Sequence, residues 1–193
     1  MAGLTQRKAI MAGGNDYRDM AAAIDVLDQA TITLSTTQKA LWAPARTVIP
    51  ASMWKVNKTF KLTAAIKLVT DITAGNYVFG AGVGVGDAPG VIVIGPTVAG
   101  TVSQTLLAVM EAYFTCRSLG TAGTVSIWGE IRASVGIIAS TLQPYIFPSA
   151  GVTVVSTLDT TLNTSAFTFQ AQRSGAGVWT ATCVGVPLLE ALN

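Results

Sequence analysis

The sequence predicts an all-β protein, an antiparallel β-sandwich of jelly-roll-like architecture with a short N-terminal helical arm. Three observations lead there. From Thr31 onward apolar residues recur at every second position, the period of a strand with one buried face. The runs are rich in β-branched and aromatic residues and are separated by Gly, Pro and Ser clusters that make turns. No crossover helix lies between them, which argues against a parallel βαβ fold. A chain of 193 residues accommodates one such domain with an appended segment. We divide it into an arm over 1–38 and a sandwich over 39–193.

The arm differs in composition from the sandwich segment. Residues 1–30 hold Asp16, Asp19, Asp25 and Asp28, four of the ten acids. Asp16 can cap a helix, and Asp19 would sit favourably in its first turn. Tyr17, Met20, Ile24 and Leu27 then recur along one helical face, so a helix is predicted over Tyr17–Asp28. A helix this short is marginal alone, and its apolar stripe should dock on the sandwich or on a neighbour.

The strands come next in order. In Thr59–Val69, Phe60, Leu62, Ala64, Ile66 and Leu68 alternate with Lys61, Thr63, Ala65 and Lys67, giving one wet face. Asn76–Val85 puts Gly80, Gly82 and Gly84 on one face, with Gly86 just beyond, so that something must pack close there. Gln104–Arg117 sets Leu106, Ala108, Met110, Ala112, Phe114 and Cys116 against Glu111, Tyr113 and Arg117. The turn Ser118–Gly123 leads into Thr124–Val135, which buries Val125, Ile127, Ile131 and Val135 and presents Trp128, Glu130 and Arg132. These two strands should form an antiparallel hairpin. Further strands are predicted at Val152–Ser156, Ala166–Gln172 and Val178–Pro187. Pro144 and Pro148 mark the segment from Val135 to Val152 as a loop, and the total is roughly eight strands.

Composition narrows the function. Half the residues are hydrophobic and only 11% are charged, with mean hydropathy +0.52. An average soluble domain is about a quarter charged, so this surface is expected to face other protein. No apolar run reaches the roughly 20 residues of a membrane helix, so no membrane partner is expected. The N-terminal Arg7 and Lys8 are followed by Gly13, Gly14, Asn15 and Asp16 rather than an apolar core, which reads as no secretory signal and folding in the cytoplasm. Cys116 and Cys183 fit neither a zinc site nor a redox pair and read as small core residues.

The chain has no histidine. That removes His-dependent acid–base relays, Ser-His-Asp and Cys-His nucleophiles and the usual His-bearing metal sites. Glu111 and Glu130 fall on adjacent strands and could approach as a glycosidase pair would. Arg117 and Arg132 on the same strands make a cross-strand salt-bridged face the better account. The run Gly80–Gly86 lacks the G-x-G-x-x-G spacing and a following helix, so it is no dinucleotide loop. We expect no enzyme, no cofactor and no metal.

Between Asp28 and Asp71 there is no acid, while Lys39, Arg46, Lys55, Lys58, Lys61 and Lys67 all fall there, interleaved with Trp42, Trp54 and Phe60. Aromatics among basic residues can bind single-stranded nucleic acid. A pI of about 8.6 is below the usual footprint of such binders. A solvated face, or a contact for an acidic protein surface, is the preferred reading.

Two segments resemble a group of tailed-bacteriophage virion proteins. One runs from Glu111 to Glu130 and contains Thr115-Cys-Arg-Ser118 and Gly120-Thr-Ala-Gly123. The other begins at Leu158 with Asp159-Thr-Thr161, passes through Ala166-Phe-Thr-Phe-Gln170 and ends in Leu188-Leu-Glu190. The similarity spans roughly residues 45–193. It implies a head-associated structural role in the virion, as a capsid decoration or minor capsid protein that is trimeric and sits between major capsid subunits. It offers no catalytic residues. The assembly contacts expected are Tyr17, Met20, Ile24 and Leu27 of the arm, Lys55, Lys58, Lys61 and Lys67 of the basic stretch, and Trp128. The rival readings are the head of a tail fibre or spike that binds host glycan through Trp128, Tyr113 or Trp179, and a self-assembling jelly-roll coat protein.

Overall fold

A computed structural model describes residues 29–42, 47–73, 75–85, 88–100, 102–134, 142–148 and 153–192. The predicted helix Tyr17–Asp28 lies outside them. The described chain forms two antiparallel sheets. The first is seven-stranded. Its core, in spatial order, is β1 (Ile32–Thr33), β12 (Thr180–Ala191), β4 (Thr59–Val69) and β7 (Thr105–Ser118), extended by β8 (Gly123–Ser134). Two strands then share the outer edge of β8. They are β10 (Thr153–Leu158), paired along Gly123–Ile127, and β9 (Leu142–Phe147), paired along Gly129–Ser134. The second sheet comprises β11 (Ser165–Ser174), β5 (Gly75–Val85) and β6 (Ala88–Gly100), with the two-residue strands β2 (Lys39–Ala40) and β3 (Val48–Ile49) both paired to β11.

The chain passes repeatedly between the sheets, so that β12 returns to lie between β1 and β4, and β11 returns to lie beside β5. That interleaving is the Greek-key connectivity of a jelly roll, with β8–β10 added beyond β7. The predicted fold class therefore holds for the sandwich. β1 lies before Lys39, inside the segment assigned to the arm, and Leu34 beside it is buried.

The core keeps the period of two. Phe60, Leu62, Ala64, Ile66 and Leu68 of β4 are buried, as are Leu106 to Cys116 at alternate positions of β7. Opposite them β11 contributes Phe167, whose ring stacks on Phe114 with centroids 3.8 Å apart and meets Phe60 and Trp54 at 5.8 and 5.6 Å. Tyr77 stacks on Phe79 and tilts against Trp179. Cys116 and Cys183 are buried in this core and form no disulfide, and burial pushes the Cys116 thiol up. On the outer side of the second sheet Gly80, Gly82 and Gly84 are buried, in register with Gln170, Thr168 and Ala166, which are buried too. The bare glycine face expected from sequence is thus packed.

Two strands are absent from those predicted from sequence. β6 carries Pro89, Gly90, Gly95, Pro96 and Gly100, residues unfavourable inside a strand, yet it pairs with β5 from Gly75 to Val85. It ends the order of its sheet, and an edge strand tolerates prolines because one side needs no N–H donors. β9, which contains Pro144, forms where a loop was expected and is likewise paired with β8 alone. β12 also runs past Pro187. The register shifts between Val184 and Leu188, with Gly185 at φ 69°, and the bulge takes the proline out of the ladder.

At one end of the sandwich, Asp71 ties three connections together. Its carboxylate accepts the Thr73 N–H at 2.7 Å and the Val178 N–H at 2.6 Å, and its carbonyl accepts the Ser103 N–H at 2.7 Å. Gly177, at φ 105°, lies so close that a Cβ would stand 2.5 Å from the carboxylate. The two N–H bonds hold the Asp71 carboxyl below its usual range.

A carboxylate whose pKa is lowered by folding contributes stability above its unfolded value, and the contribution is lost as pH falls through the folded value. Asp71→Ala should therefore melt at a lower temperature than the wild type at pH 7, and the gap should close below about pH 4. Thermal melts followed by circular dichroism across pH check this, and a gap independent of pH refutes it. Phe167→Ala, which empties the centre of the aromatic cluster, should cost about 3–5 kcal/mol in urea unfolding.

Candidate functional site

The outer face of the first sheet gathers most of the residues singled out from sequence. The antiparallel registers set them in rows across the strands. One row runs Glu190, Lys61, Tyr113, Trp128, and the next runs Leu188, Thr63, Glu111, Glu130, Ile146. A third runs Val184, Ala65, Val109, Arg132, and a fourth Thr182, Lys67, Leu107. Period-two alternation puts them all outward, because the intervening residues fill the core.

Four charges on this face are tied into two pairs. Lys61 Nζ lies 2.8 Å from Glu111 Oε2, the Tyr113 hydroxyl donates to Glu111 Oε1, and Arg132 donates to Glu130. Lys61 Nζ also stands 5.8 Å from the centre of the Tyr113 ring. Glu111 and Glu130 are cross-strand partners, as sequence spacing suggested. Partial burial raises the Glu111 pKa, but the hydrogen bonds from Lys61 and Tyr113 outweigh it and hold the carboxyl low. The bond to Glu111 raises the pKa of the Lys61 ammonium, and its bond to the Tyr113 hydroxyl raises that of the phenol. A salt-bridged outer face is therefore present, with Lys61 as the partner of Glu111. Arg117, the cation expected from sequence, instead donates to Ser126 at 3.0 Å.

Beside these two ion pairs, apolar residues occupy much of the face. Val69, Leu107, Val184 and Leu188 are exposed together across β4, β7 and β12, and Trp128 and Ile146 are exposed on the far side, at β8 and β9. The sequence reading singled out Trp128 but not the aliphatic group. A signal was available, since Leu106-Leu107-Ala108-Val109-Met110 is apolar at every position, the pattern of a strand covered on both faces.

The remaining expected contacts scatter. Lys67 is exposed beside Leu107 on the same face, whereas Lys55 and Lys58 lie in the turn before β4, Lys55 exposed and Lys58 buried. Burial, and then the neighbouring charge of Lys55, lower the Lys58 pKa. Tyr17, Met20, Ile24 and Leu27 lie outside the described residues. Trp42, Trp54 and Phe60 are core residues, so the aromatics of the basic stretch offer no platform to a base. Trp179 is fully buried and is no candidate for glycan contact. Among the described residues no cluster of three or more acids or cysteines is placed to hold a metal.

The motifs that carry the phage resemblance meet at the other end of the sandwich. Thr160 Oγ1 accepts the Gly120 N–H at 2.8 Å, and the Thr160 N–H reaches the Gly120 carbonyl at 3.0 Å. A Cβ on Gly123 would stand 2.8 Å from the carbonyls of both Leu158 and Ser118. Gly120-Thr-Ala-Gly123 and Asp159-Thr-Thr161 thus lock two turns together, which is a structural task.

Removing the acceptor in Glu111→Ala should return the Tyr113 phenol toward its ordinary pKa and free Lys61. NMR titration of the tyrosine ring carbons checks this, and an unshifted Tyr113 would show that the bond contributes nothing.

No protein-family model matches the chain, and no curated protein matches it in sequence. Among solved structures it is similar to the legume lectin-like domain from Entamoeba histolytica, at 7% identity over 90% of this chain and 99% of that one, with a TM-score of 0.23. A superposition that loose carries no argument about fold or ligand.

Proposed function

We propose that the protein is a structural component of a tailed-phage virion, a head decoration or minor capsid protein that forms a homotrimer and binds between major capsid subunits. The observation that carries the assembly role is the aliphatic group Val69, Leu107, Val184 and Leu188, exposed on a face where Lys61 is paired with Glu111 and Arg132 with Glu130. Such groups mark surfaces that bury themselves on association. The assignment to a phage head is supported by the resemblance over residues 111–130 and 158–190.

β4 is 11 residues long. The three strands β12, β4 and β7 that carry the group, about 4.8 Å apart and rising about 3.3 Å per residue, span roughly 520 Å², about two thirds of the roughly 800 Å² that one partner contributes to a standard interface. Lys67 sits inside the aliphatic group, where its stem can lie along apolar surface while its ammonium meets an acidic partner.

Sedimentation of the purified chain should give a stable oligomer, with three copies expected, and co-sedimentation with isolated capsids should retain it. Leu107→Lys combined with Val184→Lys should weaken self-association by at least about tenfold while leaving the fold intact, since each residue, already more than half buried, would add roughly 0.5–1.5 kcal/mol of apolar burial on association. A wild-type monomer that ignores capsids would refute the reading.

A further inference from the structure

We infer that Trp128 is the platform of a saccharide seat at the edge of the first sheet, independent of the assembly contacts. The indole lies nearly parallel to the Tyr113 ring, at 10° with centroids 4.2 Å apart, and Lys61 flanks Tyr113 on its other side. The three residues form a stack along one row of the sheet. Tyr113 covers the indole face toward β7, and among the described residues no further ring continues the stack.

The ladder is interrupted at that end. β9 pairs with β8 as far as Gly129, opposite Phe147, and β10 pairs with β8 from Ile127, opposite Thr153. Trp128 falls between them, so among the described residues no strand partner is in register with it beyond β8. It stays 46% exposed, while Trp42, Trp54 and Trp179 are at most 4% exposed. Tryptophan carries one of the largest apolar surfaces of any side chain, and about half of this one is left uncovered on a strand held on both sides.

The chemistry around the ring selects the ligand class. Glu130 and Arg132 come next on the same face of β8, the first about 6.6 Å along the strand. Together they offer carboxylate acceptors and a fork of guanidinium donors, and a carboxylate has about four acceptor sites, more than one guanidinium bond consumes. Lys61 is committed to Glu111 and Arg132 to Glu130, while Arg117 donates to Ser126, two residues before Trp128 on the same face of β8, and adds a second guanidinium donor beside the ring. A flat ligand with an electropositive C–H face and a rim of uncharged hydroxyls fits all of these features. The C–H face of a pyranose meets the negative face of the indole, and its hydroxyls meet Glu130 and Arg132. The seat lies at the opposite corner of the face from Val69 and Val184, so an oligomer built on the aliphatic group leaves it open.

Because Trp128 is the exposed tryptophan, acrylamide quenching of intrinsic fluorescence reports on it. Methyl glycosides and linear trisaccharides of glucose, galactose, mannose and N-acetylglucosamine are titrated into the wild-type protein, with a nucleoside monophosphate series alongside. At least one saccharide should shift the emission to the blue and protect it from acrylamide. Binding, followed by calorimetry, should vanish in Trp128→Ala, weaken about tenfold in Glu130→Gln, and persist in reduced form in Trp128→Phe. Melting temperature and solution mass are read for each variant, so that loss of the fold or of the oligomer is seen separately. No response to any saccharide up to its solubility limit, an equal response in Trp128→Ala, or a response to nucleotides alone overturns the inference. Capsid binding is measured independently, and its failure would leave the saccharide result standing.

Discussion

The contact between Phe167 and Phe114 is the constraint on which the rest of the sandwich depends. The rings stack 3.8 Å apart across the gap between the sheets, and Phe60 and Trp54 close around them. That contact fixes which face of β11 is inner, and with it the side on which Thr168 and Gln170 are held. It also fixes β7, because Phe114 inward puts Glu111 and Tyr113 outward. A strand's period of two leaves no intermediate choice, so one aromatic pair settles the orientation of every side chain on both strands.

From there the outer face of the first sheet is set by register. Lys61, Tyr113 and Trp128 come into one row because β4, β7 and β8 are neighbours in the sheet. Lys61 and Glu111, and Arg132 and Glu130, then satisfy each other within the chain, which costs little on a half-wet surface. What a partner meets is aliphatic toward β12 and β4, with Lys67 among the apolar residues, and aromatic at β8. The two kinds of surface suit different occupants, and their separation on the sheet allows one molecule to use both.

Both ends of the sandwich are held by small polar devices. Asp71 gathers the connections at one end through backbone N–H groups, and Thr160 with Gly120 does the same at the other. Charged side chains are scarce in this sequence, so the turns are secured by backbone groups, hydroxyls and the carboxylates of Asp71 and Asp159. Two of the resemblance motifs, Gly120-Thr-Ala-Gly123 and Asp159-Thr-Thr161, fall at this second device.

Much of the fold was legible in the sequence because alternation is a local property. Thr59–Val69, the hairpin of β7 and β8 and the burial of Phe60 to Leu68, Leu106 to Cys116 and Val125, Ile127 and Ile131 at alternate positions can be read without knowing any partner strand. The sequence also placed Glu111, Tyr113, Trp128, Glu130 and Arg132 on outward faces. It concealed β6 and β9, because proline and glycine break a strand locally, whereas pairing along one edge tolerates them. It could not bring Lys61 to Glu111, since that pair depends on β4 lying beside β7, nor show that Trp179 turns inward against Tyr77. Strand order is decided by non-local packing, and only the tertiary structure determined which outward residues share a row, which aromatics fill the core, and which one is left exposed.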